Sequence, residues 1–229
     1  MFTKFLALLK KDLLLEARSK TVLSSMLIYA LLVLTIYGAA LSQTADNFDI
    51  LQVSSGLLWA LIVFTSLIGL NKTFSHEGEA GALYALLLAP FEKSLVFLSK
   101  LCANFIFLVL LEVIVVPLFY FFFLQTSSLS AQSVLLILPL LLGNVGIAGV
   151  GTLLASITQR SKSGDILLAI LLVPLIFPLL LACVSASAAV IIGSAELMEG
   201  FMRSCGIALS YDAIMLAASY ALYEFVLRP

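Results

Sequence analysis

The chain has 229 residues, 62% of them hydrophobic and only 11% charged, with a mean hydropathy of +1.18 and a net charge of −1. A soluble domain carries about 25% charged residues, so an ordinary soluble globule is excluded. The balanced charge also offers no basic field for nucleic acid, which is dropped as a partner.

The first twenty residues, MFTKFLALLKKDLLLEARSK, are not read as a cleavable signal, because charges interrupt the apolar residues throughout. Phe2, Phe5, Leu6, Leu9 and Leu13 recur at helical spacing, with Lys4, Lys11 and Asp12 off that stripe. The pattern predicts an amphipathic helix over 1–20 lying in the membrane interface, its lysines facing headgroups. A plain anchor and a functional element fit this pattern equally.

Six apolar runs follow, at about 22–41, 51–70, 101–124, 133–157, 166–192 and 205–227. Each has the roughly 20 residues that a helix needs to cross a hydrocarbon core. The expected fold is an all-α integral membrane protein, a single transmembrane domain over 1–229.

Basic residues orient it. Lys4, Lys10, Lys11, Arg18 and Lys20 precede the first run, and Lys72, Lys93 and Lys100 follow the second. Arg160 and Lys162 follow the fourth and Arg228 ends the chain, while the other connections hold only Arg203. With six spans nearly all of these fall on one side, so both termini are expected in the cytoplasm. The outer connections SQTADNFD, QTSSLSAQS and GSAELMEGFMRS are too short for an external domain.

Between the second and third runs stands FSHEGEAGALYALLLAP, residues 74–90. Glu77 and Glu79 favour a helix N-terminus through the macrodipole. Leu83, Leu86 and Leu87 supply an apolar stripe, and Pro90 stops the helix. The expectation is a short amphipathic helix at the cytoplasmic surface, placed to meet a partner that pushes on the two flanking spans. His76, the one histidine, is read as solvated or at that partner surface.

Within the spans, Glu112 is costly in hydrocarbon and must face protein or water. It is either a pathway or coupling residue, or a neutral carboxyl group bonded to a neighbouring helix. In the fourth run Ala148 and Thr152, and Gly151 and Ala155, are small residues four apart, with Gly143 and Asn144 nearby. They predict close helix packing, inside the subunit or to a second copy. Pro174 and Pro178 should bend the fifth run, whose length suggests a re-entrant or tilted outer piece. Asp212 and Glu224 in the last run are expected to snorkel or cap.

Cys102, Cys183 and Cys205 lie far apart and are read as buried small apolar residues. With no G-x-x-x-x-G-K-[ST], GxSxG, HExxH or Cys/His constellation, neither a bound metal nor an enzyme is expected.

The E-x-E-x-G-x-L-x-x-L-L-L-x-P element after the second run, with the N-terminal helix and six spans, resembles the type-2 ABC exporter permeases. The order of parts in GLLWALIVFTSLIGLNKTFSHEGEAGALYALLLAPFEKSLVFLSKL narrows this, together with Trp59, Phe74, Gly81, Pro90 and the Pro174/Pro178 doublet. These are similar to the CcmB family of haem exporter permeases. Asn71 departs from it, standing where an acidic residue is expected.

The resemblance implies a coupling helix in which Glu77, Glu79, Gly81, Leu83, Leu86, Leu87 and Pro90 dock on an ATPase. It implies a separate CcmA-like ATPase, CcmC-, CcmD- and CcmE-like maturation proteins, a homodimer and the bacterial inner membrane. No cofactor is expected on this chain; ATP would sit in the partner and haem would be the cargo. Glu112, Pro174 and Pro178 are the conformational or pathway candidates. One reading has the permease carry haem; a second has it remodel a complex and release haem-loaded chaperone. The alternative is an ABC-2 permease for another lipid or hydrophobic compound.

Overall fold

The computed structural model describes residues 2–42, 50–79, 93–124, 131–159, 161 and 163–226. Its helices are α1 (Phe2–Ser19), α2 (Thr21–Leu41), α3 (Ile50–Glu79), α4 (Lys93–Phe119), α5 (Ile137–Thr158), α6 (Gly164–Ile192) and α7 (Ala195–Val226). Among the described residues, six helices, α2 to α7, are long and apolar enough to cross a membrane, and they are called the first to sixth spans below. A π-helical turn, Tyr120–Leu124, continues α4 beyond Pro117, and a 3-10 turn, Ala131–Leu136, leads into α5.

The second and fourth spans are the most enclosed, with 67% and 61% of their apolar stretch buried, against 22% in the first and sixth. Residue size explains the place of the fourth span. Trp59 packs its ring where a Cβ on Gly143 would stand, Leu70 does the same at Gly151, and Leu216 at Gly149. The small residues of this helix therefore receive side chains of the subunit's own second and sixth spans. Of the two alternatives left open by the sequence, packing is within the chain. The Trp59 indole N–H also donates to Ser187 Oγ at 2.9 Å, tying the second span to the fifth.

Several expectations need correction. The connection at 193–204 is helical almost throughout: Gly193 adopts φ 70° and ends α6, and α7 begins at Ala195. Glycine takes that left-handed conformation without a Cβ penalty. Ser194 then accepts from the N–H groups of Leu197 (3.4 Å, side chain) and Met198 (3.0 Å, carbonyl), and Glu196 sits in the first turn, where the helix dipole favours it. The fifth span runs as one helix through Pro174 and Pro178, with no separate re-entrant piece. Both prolines stand on its exposed side, and the Tyr211 hydroxyl donates to the Leu175 carbonyl between them at 2.9 Å.

The helix of the second span does not stop for a new one at Glu77. It runs on through Glu77 to Glu79, the last described residue before segment 80–92, so Glu77 and Glu79 lie within α3 and not in the first turn of a new helix. Extending a formed helix adds one hydrogen bond per residue fixed, whereas a new one must first nucleate. Gly81, Leu83, Leu86, Leu87 and Pro90 lie outside the described residues, as does the side chain of Glu224.

Candidate functional site

Among the described residues, buried charged side chains lie at two places, the end of the bundle that carries Lys100 (the basic end) and its middle. At the basic end α1 is a helix over Phe2–Ser19, as its periodicity predicts, but its protein-facing line is Leu8, Asp12 and Glu16. Phe5, Leu9 and Leu13 flank that line, and Leu6 is exposed. Asp12 therefore points into protein and not towards headgroups, a correction to its expected place. The reason is a cation. Lys100 Nζ of the third span lies 3.2 Å from Asp12 Oδ2, and both side chains are almost wholly buried. The contact is an attraction of charges without hydrogen-bond alignment. Lys11 Nζ lies 3.2 Å from Asp12 Oδ1.

One turn on, Glu16 binds α1 to the first span. Its carboxylate accepts the Val22 N–H at 3.1 Å and the Leu23 N–H at 2.8 Å, satisfying donors that the start of α2 leaves without helical partners. Lys20 joins the two helices alone, in the left-handed conformation at φ 53°. Beside this, Leu8 packs with Val96, Phe97, Leu153 and Tyr223, a small core separate from the main one. The Phe97 and Tyr223 rings are 5.0 Å apart. Lys72 near the end of α3 donates to Ser25 of α2. The helices entering and leaving segment 80–92 are thus both fastened at this end, the second span to the first and the third to α1.

In the middle of the bundle, Glu112 of the third span is 6% exposed. Its Oε2 accepts from Asn144 Nδ2 of the fourth span at 2.7 Å. Asp212 of the sixth span is 3% exposed and stands against Gly146, whose missing side chain leaves room for the carboxyl group. It is enclosed by the bundle, so the expected snorkelling does not occur. Glu112 Oε1, Asn144 Oδ1 and both Asp212 oxygens have no hydrogen-bond partner. Cys183 lies within electrostatic reach of Glu112, Asp212 and Cys205. The cysteines are free, Cys183 and Cys205 buried and Cys102 half-buried.

Sequence reading singled out Glu112 but missed the enclosure of Asp212 and the Asp12–Lys100 pair. Register was the missing information: Asn144 and Gly146, two apart on the fourth span, meet the third and sixth spans on different faces. Among the described residues no group of three or more His, Cys, Asp or Glu is placed to hold a metal ion.

Among the described residues, six helices long and apolar enough to span, the fourth closely packed among the others, define a multi-pass membrane protein of the permease class. The family described as CcmB protein matches residues 3–223, and the chain belongs to it. It is accordingly a non-catalytic permease subunit of the CcmB type. It is similar to heme exporter protein B of Rhodobacter capsulatus, 31% identical over 176 residues, which is 76% of this chain and 78% of that one. The Pseudomonas aeruginosa heme exporter protein B is 29% identical over 182 residues, 79% of each chain. That of Haemophilus influenzae is 25% identical over 180 residues, covering 77% and 78%.

Proposed function

We propose that this chain is the membrane permease of a haem-handling ABC complex of cytochrome c maturation, driven by a separate CcmA-like ATPase. The family match over nearly the whole chain carries the reading, and the relatives named heme exporter protein B supply the haem. In it, both termini and the basic end face the cytoplasm of a bacterial inner membrane. Segment 77–90 is the ATPase contact, with Glu77, Glu79, Gly81, Leu83, Leu86, Leu87 and Pro90 as its residues. CcmC-, CcmD- and CcmE-like proteins and a second copy of the chain complete the assembly.

ATP-driven closure of the ATPase pair moves the second and third spans through that segment. Nucleotide biases the spans only by contacts that differ between the two states. The contacts at the basic end support this reading, because they join the spans on either side of the segment to their neighbours.

Of the two readings of the motion, remodelling with release of haem-loaded chaperone is favoured over passage of haem. A haem carrier would be expected to offer axial ligands along its path, and the one histidine of the sequence, His76, lies beside the segment assigned to the ATPase contact.

Co-purification with the ATPase tests the coupling surface. The native chain should retain it, and a Glu77→Lys/Glu79→Lys chain that still inserts should lose it. Equal retention would remove these two residues from the contact, and no retention by either chain would remove the ABC reading.

A further inference from the structure

α1 carries two lines of residues four apart, turned to opposite sides. Leu8, Asp12 and Glu16 are buried against the bundle. Leu6, Lys10, Leu14 and Arg18 stand two positions away from them, about 200° around the helix, and all four are exposed. The outward line is one ridge on which leucines and cations alternate. Lys4 and Lys20 are exposed near its two ends.

The charges of α1 are sorted by side. Its two acids, Asp12 and Glu16, both lie on the inward line, where Lys100 and the N–H groups of Val22 and Leu23 meet them. The ridge keeps Lys10 and Arg18 and has no acid. A helix face that meets only water has no use for Leu6 and Leu14, each nearly half exposed there.

Height decides what the ridge meets. Leu8 shares its small core with Val96 and Phe97 at the start of the third span, Leu153 near the end of the fourth and Tyr223 near the end of the sixth. Glu16 caps the start of the first span. α1 therefore lies across the ends of four spans, at the border between hydrocarbon and headgroups. A leucine facing outward at that height reaches the upper acyl chains, while a lysine or arginine stem extends to put its charge among phosphates. Apolar contact and positive charge on one ridge suit a phospholipid of net negative charge. A neutral lipid would leave the sorting of charges without use. An acidic soluble protein would have to reach leucines that lie at the height of the acyl chains.

We propose that Leu6, Lys10, Leu14 and Arg18 form a binding surface for anionic phospholipid, with Lys10 and Arg18 on headgroup phosphates and the leucines among acyl chains. Each cation held at an anionic membrane surface adds about fivefold to affinity. Lipid and third span then take opposite faces of the same helix, so bound headgroups keep α1 seated on Lys100.

Tryptophan fluorescence of the full chain in phospholipid vesicles tests this without any ATPase, so its outcome is separate from that of the coupling surface. Trp59 is buried in the bundle, and the native chain measured alongside supplies its background. Leu14→Trp places a second indole on the ridge. The vesicles hold equal parts of phosphatidylcholine and phosphatidylglycerol, with one or the other brominated. The new indole should be quenched several-fold more by brominated phosphatidylglycerol. Lys10→Gln/Arg18→Gln in the same chain should make the two lipids quench it equally. Salt at about 1 M, which screens charges beyond about 3 Å, should do most of the same. Equal quenching on the intact ridge would mean contact with lipid of any kind and overturns the proposal. A preference that survives the double substitution puts the anionic lipid on other cations and overturns it too. Absence of quenching by either lipid would mean that protein, such as a second copy, covers the ridge, and equally overturns it.

Discussion

Asp12 and Glu112 are buried to nearly the same degree, 7% and 6% exposed, yet one meets two ammonium groups and the other an amide. The difference teaches how the bundle handles charge by depth. At the basic end a carboxylate lies against two ammonium groups, one of which joins α1 to the third span. In the middle, where a lone ion is expensive, the acids are left among neutral neighbours with unused oxygens. The first arrangement holds a shape; the second leaves capacity for a ligand.

The comparison breaks most visibly at Lys100. Lys100→Met leaves Asp12 buried with only the half-exposed Lys11, and removing one partner of a buried pair costs about 3–5 kcal/mol. A thermal melt in detergent should show that loss, and Asp12→Asn added to Lys100→Met should restore most of it. A smaller effect comes from packing. Gly143→Ala forces a methyl group into the Trp59 ring and should cost about 1–3 kcal/mol, partly recovered by Trp59→Phe. Glu16→Gln weakens the cap on the first span and should cost about 1 kcal/mol, read from the same melts. The least change is expected in the middle. Glu112→Gln still offers Asn144 an acceptor, so stability should move by under about 1 kcal/mol. A large loss there would mean that Glu112 is ionised and paired, and would erase the contrast with Asp12.

Hydropathy was enough to read the number of spans, because a continuous apolar run declares its own length. Residue chemistry pointed to Glu112 and to the crowding around Gly143 and Gly151 for the same reason: each is unusual for its surroundings. Asp212 was misplaced since distance from a helix end says nothing about which neighbour a side chain faces. Asp12 was misread because an apolar stripe was taken to mark the buried face, whereas an ion pair turned the polar side inward. The Asn104–Thr152 contact was invisible for a related reason. Each residue is individually ordinary and acquires meaning only when the antiparallel third and fourth spans are aligned. Glu77 shows the limit of local rules, since an acidic residue that suits a helix start lies here within the helix of the second span.

The enclosure of the fourth span also has a consequence for how the chain is made. Its notches at Gly143 and Gly151 are filled by spans synthesised before it, but those at Gly146 and Gly149 wait for Asp212 and Leu216 of the last span to leave the ribosome. Glu112 and Asn144 meet as soon as the third and fourth spans have inserted as a hairpin, so each acid-bearing helix has a different waiting time in lipid. The sixth span must carry Asp212 into the bilayer before its groove exists or together with it. Membrane-inserted chains truncated ahead of that span would display an open cleft beside Gly146, the state a quality-control protease could distinguish from the finished bundle.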